Sequence, residues 1–457
     1  MNRYSVPWLF RQVAENLIQN GWTYFALLLV TMHSLVFASN SYVIWEDKIV
    51  AFWLSTFAFC AFFKSLRLQE GYKKFLGAYH SFVFMAWTRL ISCVSICREE
   101  QGDKCTNNFK VTWWAVALLY VSAMALPGII KYFYKISHSY EGVAPLWIGK
   151  GMRSMMLLTA VMWTLEYIEN DAYLLNLLSI PEGLLKNGRL TIARVVLGVS
   201  MIAASVGWNF GPLCIRLDLN NMAKAPAAPD ESSDKILKKA SIVGYGNAYG
   251  SSYFLFIINI VCSIMIVNKP LGGLSIAILV NQILTLLELV DILDIRSNLI
   301  SVVVMWLLAY MHFFTTGHQA TLGAIHWDSA FILVDRVMSP WNEATIVLDT
   351  FGPFIIVCVS IALLTLWKIP PTNKPITLIA KVVSTVTSLL IYQLCLTLST
   401  LVMANNFRRH LMVWKIFAPR FMLNAMILIL MNFILTGVTV FFASRKVIKR
   451  WYEVFGA

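Results

Sequence analysis

The sequence predicts an all-α, polytopic membrane protein with about twelve transmembrane helices. Of its 457 residues, 58% are hydrophobic and only 13% are charged, whereas a soluble domain carries roughly 25% charged residues. Apolar runs of about 20 residues recur along the chain, and this is the length that an α-helix needs to cross a bilayer. Because backbone polar groups in lipid must be satisfied within their own segment, these runs predict helices.

Twelve spans are predicted in order along the chain. Their limits are 22–44, 48–63, 75–96, 111–134, 152–168, 191–215, 252–268, 274–293, 299–314, 346–367, 376–402 and 421–443. The predicted organisation is an N-terminal cytosolic segment (1–21), a six-helix half (22–215), a flexible cytosolic linker (216–250), a second six-helix half (251–443) and a basic cytosolic tail (444–457). The linker is predicted from residues 225–234, which are rich in Ala, Pro, Ser and acidic residues and cannot bury apolar surface.

The basic residues predict the orientation. Connections on the side of both termini carry 21 Lys and Arg residues, and those on the other side carry 12. The side richer in Lys and Arg is cytosolic in most membrane proteins, so both termini are predicted in the cytosol. The net charge of +13 comes mostly from residues that flank apolar spans, and we therefore expect no nucleic-acid partner.

Two cysteines on the predicted far side bracket a polar loop. Cys97 and Cys105 are separated by seven residues, five of them charged. An oxidising lumen permits a disulfide between them. Two free thiols near the membrane interface are the alternative.

Ionisable residues inside the predicted spans are candidates for function, because charges in a bilayer are costly. Six were identified: Arg89, Glu166, Arg194, Glu288, Asp291 and Lys381. Glu288, Asp291 and Asp294 are spaced three apart and share one helix face. The structural interpretation is ion pairing with Arg89, Arg194 or Arg296, and the functional one is a path for protons or cations.

The predicted far-side loops contain the candidate binding residues. Arg408, Arg409 and His410 could bind a phosphate, since guanidinium groups match phosphate oxygens bidentately. His318 and Gln319 could contact a hydroxyl-rich headgroup, and His326, Trp327 and Trp414 complete the set of candidates. The alternatives are snorkelling of the arginines towards headgroups and interfacial anchoring by the tryptophans.

No catalytic residue, metal ligand or cofactor is predicted in this chain. His318 and His326 are eight residues apart, which is not a familiar zinc-ligand spacing. The sequence contains no phosphate-binding Walker loop, no Gly-x-Ser-x-Gly motif and no Cys-x-x-Cys pair.

Four segments resemble one family. They are Gly317-His318-Gln319 with Ile325-His326-Trp327-Asp328-Ser329-Ala330-Phe331, the stretch from Arg409 to Phe421, Ser39-Asn40-Ser41-Tyr42-Val43, and Cys97-Arg98-Glu99-Glu100. In this order they resemble the GPI ethanolamine phosphate transferases, specifically those acting on the third mannose of the GPI precursor. The resemblance extends from about Trp22 to about Arg450.

The resemblance implies a multi-pass protein of the endoplasmic reticulum membrane that acts in GPI-anchor biosynthesis. The family transfers ethanolamine phosphate from phosphatidylethanolamine to a mannose 6-hydroxyl of the GPI-lipid precursor, and it pairs with a small multi-span stabilising subunit. Its nucleophilic Thr and its zinc ions lie in a lumenal phosphatase-like domain, which this chain lacks. The chain resembles only the C-terminal membrane domain, which we expect to bind and position lipids. It is then a part of a longer protein or one of two separate halves.

Two other classes of function remain open on the sequence. Many spans with embedded carboxylates are typical of a lipid or ion transporter. A non-catalytic scaffold that binds a partner subunit is the other alternative.

Overall fold

The computed structural model is a bundle of helices, in agreement with the predicted fold class. It describes residues 6–19, 21–94, 111–178, 181–210, 216–218, 241–243, 247–319, 325–368 and 375–455. The helices before the predicted linker are α1 Val6–Leu17, α2 Trp22–Leu35, α3 Asn40–Ile44, α4 Glu46–Leu66, α5 Gly71–Ile91, α6 Trp113–Ile136, α7 Ala144–Leu146, α8 Arg153–Asn170, α9 Ala172–Leu178 and α10 Glu182–Phe210. A short 3₁₀ turn, Val36–Ala38, follows α2, and a π-helical turn, Trp147–Met152, precedes α8.

The second half continues in the same way. Its helices are α11 Ala248–Val267, α12 Pro270–Ile292, α13 Asn298–Thr315, α14 Trp341–Leu366, α15 Pro375–Asn406, α16 Leu411–Met426 and α17 Gly437–Phe455. A 3₁₀ helix, Trp327–Phe331, lies between α13 and α14, and a π-helical segment, Ile427–Thr436, joins α16 to α17. Two short antiparallel strands, β1 Arg216–Asp218 and β2 Ser241–Val243, lie within the predicted linker.

Each of the twelve predicted spans overlaps a helix. Among the described residues, nine helices are long and apolar enough to cross a membrane, or ten if α1 and α2 together form one bent span. Helices α5 and α8 are not among them, and α5 carries Lys73, Lys74 and Arg89. The polytopic all-α class is thus confirmed, and the count of twelve crossings stays a prediction. Cys97 and Cys105 lie outside the described residues.

The centre of the bundle is formed by α11 to α14. Their sequences are apolar around the whole helix, and almost all of their side chains are buried. Helix α13 packs against α2, α4, α14 and α15, and α12 packs against α5 and α6. Since a helix that is hydrophobic on every face belongs in an interior, the sequence itself favours this central position. Helices from both sides of the predicted linker therefore share one core.

A fully buried ion pair connects the first and last parts of this core. Arg420 on α16 donates from Nε to Glu46 Oε2 at 3.1 Å, and neither residue is exposed. His33 Nε2 lies 3.0 Å from Glu46 Oε1, and Arg420 Nη1 donates to Asn424 Oδ1 at 2.7 Å. The Arg420 guanidinium also lies over the Tyr310 ring. Arg420 belongs to one of the segments that carry the family resemblance, and Glu46 lies three residues after another, although 374 positions separate the pair.

The embedded carboxylates of α12 form a second ionic cluster, at the end of the bundle opposite to the pair of Glu46 and Arg420. Lys368 Nζ lies 2.6 Å from Glu288 Oε2 and 2.9 Å from Asp291 Oδ2. Although burial favours the neutral amine, these carboxylates raise the pKa of Lys368 above its ordinary value. The structural interpretation of this face as ion-paired agrees with the structure, but the partner of Glu288 and Asp291 is Lys368, which follows α14, and not one of the three arginines.

Of the three arginines proposed as partners, Arg296 pairs with an acidic residue, at 2.8 Å from Asp294. Arg194 instead donates from Nε to the Leu333 carbonyl at 2.8 Å. In the part of the chain that the structure describes, no ion pair joins Arg89 to Glu288 or Asp291.

Arg420→Met should destabilise the fold by about 3–5 kcal/mol, because it leaves the Glu46 carboxylate buried without its partner. The double variant Glu46→Leu/Arg420→Met should recover most of that loss, since no unpaired charge remains. Thermal unfolding in detergent measures both changes.

Lys73→Met is the matched control, because Lys73 pairs with Glu70 at an exposed site. Exposed pairs contribute little to stability. A loss for Arg420→Met no larger than that for Lys73→Met would contradict the role of the buried pair.

Candidate functional site

Polar side chains surround a cavity of about 220 Å³ at the predicted lumenal end of the bundle. The ends of α8 and α11, the start of α10, the 3₁₀ helix after α13 and the start of α14 meet there. Its charged and imidazole lining residues are Glu166, Arg189, Lys269, His326, Asp328 and Asp349. We call this group of elements the cavity end of the bundle.

The chain turn after α13 places His318 beside the cavity. Gly317 has φ +101°, in the left-handed region that favours glycine. The Gly317 amide donates to the Phe314 carbonyl, and the His318 amide donates to the Phe313 carbonyl. This is a Schellman motif, in which the residue after the glycine packs back on the helix. The imidazole of His318 accordingly stacks on the Phe313 ring with centroids 5.3 Å apart.

Thr316 determines which nitrogen of His318 carries the proton. The Thr316 hydroxyl donates to the Phe313 carbonyl at 3.0 Å, so its oxygen is an acceptor for His318 Nδ1 at 3.1 Å. With the proton on Nδ1, the lone pair of Nε2 points away from Thr316. Burial, together with the charges of His326 and Lys269, lowers the pKa of His318 to about 3, which makes the neutral imidazole the form at pH 7.

His326 and Asp349 are positioned by the next two elements. His326 precedes the 3₁₀ helix, and its carbonyl accepts from the Ser329 amide and hydroxyl. Asn342 in the first turn of α14 donates to the Ala330 carbonyl at 2.9 Å and so attaches this 3₁₀ helix to α14. Asp349 lies two turns further along the same helix and is buried.

These elements bring His318, His326 and Asp349 together. His326 Nδ1 lies 3.3 Å from Asp349 Oδ2, and His318 Nε2 lies 3.8 Å from the same oxygen. The two imidazole centroids are 4.6 Å apart. Two imidazole nitrogens and a carboxylate are a donor set that divalent transition metals bind in proteins.

Two ion pairs line the other walls of the cavity. Lys269 Nζ lies 2.7 Å from Asp328 Oδ2, and Arg189 Nη1 lies 2.7 Å from Glu166 Oε2. Although burial favours the neutral acid, the Lys269 ammonium lowers the pKa of Asp328 below its ordinary value. The cavity therefore presents cations and anions side by side at neutral pH.

The predicted binding residues fall into two separate groups. His318 and His326 belong to the cluster, Gln319 follows it in a half-buried position, and Trp327 is 66% exposed. Arg408, Arg409 and His410 are exposed in the turn between α15 and α16, with Trp414 exposed nearby on α16. Within the described ranges, no ion pair or hydrogen bond connects this turn to the cluster.

Sequence reasoning missed Asp349, Lys269 and Arg189 as members of a site. A signal existed for Asp349, because it is the only acidic residue in the predicted span 346–367. Ionisable residues inside spans are rare and are functional candidates. Lys269 and Arg189 gave no such signal, since both read as ordinary basic residues flanking spans.

Comparisons with known proteins identify relatives along nearly the whole chain. It is 41% identical to GPI ethanolamine phosphate transferase 3 of Eremothecium gossypii, over 99% of this chain and 47% of that protein. It is 37% identical to the protein of the same name from Saccharomyces cerevisiae, with the same coverage, and 28% identical to that of Schizosaccharomyces pombe, over 89% of this chain and 41% of that protein.

The chain thus spans about half the length of the curated relatives that it matches. No family model matches the chain. No solved structure matches it either.

Thr316→Val should destabilise the protein by about 1–3 kcal/mol, because it removes the acceptor of the buried His318 Nδ1 proton while keeping the side-chain shape. Thermal unfolding in detergent measures this loss. Thr365→Val is the matched control, since the buried Thr365 hydroxyl donates only to the carbonyl of Ala362 in its own helix. Equal losses for the two variants would contradict a stabilising hydrogen bond between Thr316 and His318 Nδ1.

Proposed function

Since this chain is homologous to about half the length of the GPI ethanolamine phosphate transferases of type 3, we propose that it forms the membrane domain of such an enzyme. The enzyme transfers ethanolamine phosphate from phosphatidylethanolamine to a mannose of the GPI-lipid precursor, the third mannose by the class of its relatives. It acts in the endoplasmic reticulum membrane. The chain matches 47% of the length of these two relatives, which is the share expected if it corresponds to their C-terminal part.

In this proposal the chemistry of transfer belongs to a lumenal phosphatase-like domain with zinc, outside the sequence of this chain. The membrane domain binds the two lipids and holds their headgroups at the lumenal interface. Holding two reactants in the correct geometry lowers the barrier of a bimolecular step by several kcal/mol. The domain therefore contributes to the rate without supplying the nucleophile.

The paired charges of the cavity are the observation that supports lipid positioning most directly. An ethanolamine phosphate headgroup carries a phosphate anion and an ammonium cation. The cavity offers the Lys269 and Arg189 cations beside the Glu166 and Asp328 carboxylates. A zwitterionic headgroup can exchange these pairings for its own without leaving a charge unpaired, and unpaired buried charges are what makes binding in such a site costly.

The exposed arginine turn supports a second contact with phosphate. Arg408 and Arg409 lie at the predicted lumenal end of α15 and are exposed. Adjacent guanidinium groups bind phosphate oxygens bidentately. We assign them to the phosphate of a lipid headgroup that approaches the domain from the bilayer surface.

The ion-transport alternative receives less support. That alternative depends on the embedded carboxylates Glu288 and Asp291. Lys368 binds both of them, so their negative charge is already neutralised in part. The scaffold alternative predicts a complex with the small stabilising subunit and no effect of headgroup-binding variants on the rate. The experiments below distinguish it from lipid positioning.

Depletion of the natural-length protein from cells should cause GPI precursors that lack ethanolamine phosphate on the third mannose to accumulate. Mass spectrometry of lipid-extracted precursors measures this. Re-expression of the protein should restore the modified precursor. An unchanged precursor profile on depletion would refute the proposed transferase.

The double variant Arg408→Ala/Arg409→Ala should lower transfer in microsomes about 10- to 100-fold, the loss expected for charge-assisted hydrogen bonds of about 1.5–3 kcal/mol. Transfer from labelled phosphatidylethanolamine to the precursor is the readout, and protein abundance is measured in parallel. Arg11→Ala is the matched control, because Arg11 is an exposed arginine on the predicted cytosolic side. Full transfer at normal abundance would contradict the assignment and favour the scaffold.

A further inference from the structure

We propose that His318, His326 and Asp349 bind a divalent transition-metal ion, zinc by their chemistry, at the cavity end of the membrane domain. The inference concerns a site within this chain, separate from the zinc of the lumenal phosphatase-like domain, and it stands whether or not the chain belongs to an active transferase. The spacing of His318 and His326 in the sequence predicted no metal ligand here, and the proposed site differs from that prediction.

In the cluster, one buried hydrogen-bond acceptor faces another. Because the Nδ1 proton of His318 is bound by Thr316, the lone pair of Nε2 is directed at the cluster. It lies 3.8 Å from Asp349 Oδ2, and among the described residues Nε2 has no hydrogen-bond donor. Two buried electron-rich atoms that face each other repel unless a cation lies between them. A metal ion supplies that cation.

The three donor atoms lie close enough together to share one metal ion. One donor atom from each residue lies within 4.8 Å of the other two, and the closest pair is separated by 3.3 Å. Zinc bonds of about 2.0–2.2 Å in a tetrahedron place ligand atoms about 3.3 Å apart. Side-chain movements that shorten the widest of these separations, at most 4.8 Å, by up to about 1.5 Å bring all three donors into the first coordination sphere.

Neighbouring side chains orient the donors of the cluster. Ligating histidines in proteins almost always donate their other ring nitrogen to a fixed acceptor, which orients the ring. Thr316 has this role for His318, and the Phe313 ring stacks on the same imidazole. These two contacts fix the orientation of the His318 ring, which distinguishes the cluster from polar groups that are close together by chance.

The fourth coordination position faces the cavity, since His326 and Asp349 both line it. Three protein ligands with one open position are typical of metal sites that bind water or a substrate oxygen. With one carboxylate and two neutral imidazoles, a bound divalent ion leaves a net charge of +1. An anionic oxygen, such as that of a phosphate headgroup or of inorganic phosphate, is the ligand class that suits this position.

Metal content of the purified protein tests the proposal. The natural-length protein is stripped with a chelator in detergent, equilibrated with zinc sulfate, desalted and analysed by mass spectrometry for zinc per chain. The wild type should hold one zinc more than Asp349→Asn and one more than His326→Ala. Zinc bound elsewhere in the protein contributes equally to every sample, so the difference reports this site alone.

His138→Asn is the matched control, because His138 is an exposed histidine whose φ of +52° suits asparagine. It should bind as much zinc as the wild type. Gel filtration in detergent verifies that each variant is folded. Equal zinc in the wild type, Asp349→Asn and His326→Ala would overturn the proposal, and the cluster would then be a histidine–carboxylate contact that shares a proton.

A measurement on the wild type alone avoids dependence on variants that fail to fold. The Tm of the stripped protein should rise on addition of zinc and not on addition of magnesium, which binds imidazole poorly. A Tm rise that Asp349→Asn shows in full would overturn the site. Because neither readout involves transfer, loss of transferase activity and loss of this metal are observed independently.

The ligand class is tested by adding inorganic phosphate, and separately vesicles of phosphatidylethanolamine, to cobalt-substituted protein. The wild type should show cobalt absorption bands that Asp349→Asn does not show. Phosphate and the vesicles should each change those bands. A change with free phosphate alone would assign the open position to a soluble anion, and a change with vesicles would assign it to a lipid headgroup. No change with either would overturn the assigned anionic ligand.

Discussion

The buried ion pair between Glu46 and Arg420 is the interaction on which the rest of the bundle depends. Both side chains are removed from water and lipid alike, and a lone charge there would cost several kcal/mol. The pair is satisfied only when the start of α4 meets the middle of α16, with α13 between them through Tyr310 and Asn424. One electrostatic requirement therefore fixes the positions of helices that are far apart in the sequence around the central helix.

The same requirement explains the other charged groups of the core. Lys368 neutralises Glu288 and Asp291 at one end of the bundle, and Arg189 neutralises Glu166 at the other. Because each of these charged side chains is paired within the bundle, the helices contain charges without exposing them to hydrocarbon. The cluster of His318, His326 and Asp349 differs, because among the described residues no lysine or arginine forms an ion pair with its carboxylate. That difference is the physical reason for placing a metal ion there.

The cavity, the histidine cluster and the arginine turn all lie at the end of the bundle that the distribution of Lys and Arg assigns to the lumen. A transferase that joins two membrane lipids needs their polar headgroups together at one interface, with the acyl chains in the bilayer. A helical bundle with paired charges at one end and an apolar exterior provides such an arrangement. In the proposed function the membrane domain would position substrates, and the nucleophile is expected in the part of the relatives that this chain does not match.

The sequence by itself determined the class of fold and most of the helices. Apolar runs, basic flanks and the turn after Phe314 are local properties, and the Schellman turn at Gly317 follows from the one residue type that favours its φ. Local patterns also singled out His318 and His326, although their spacing of eight positions did not suggest that they bind one ion together. Only the tertiary structure decided that Asp349, from the next helix, lies against both imidazoles, and that Arg420 binds Glu46 inside the bundle. Spacing along a chain reports neighbours within one helix, whereas these contacts arise between helices whose approach is determined by the burial of charge and of apolar surface together.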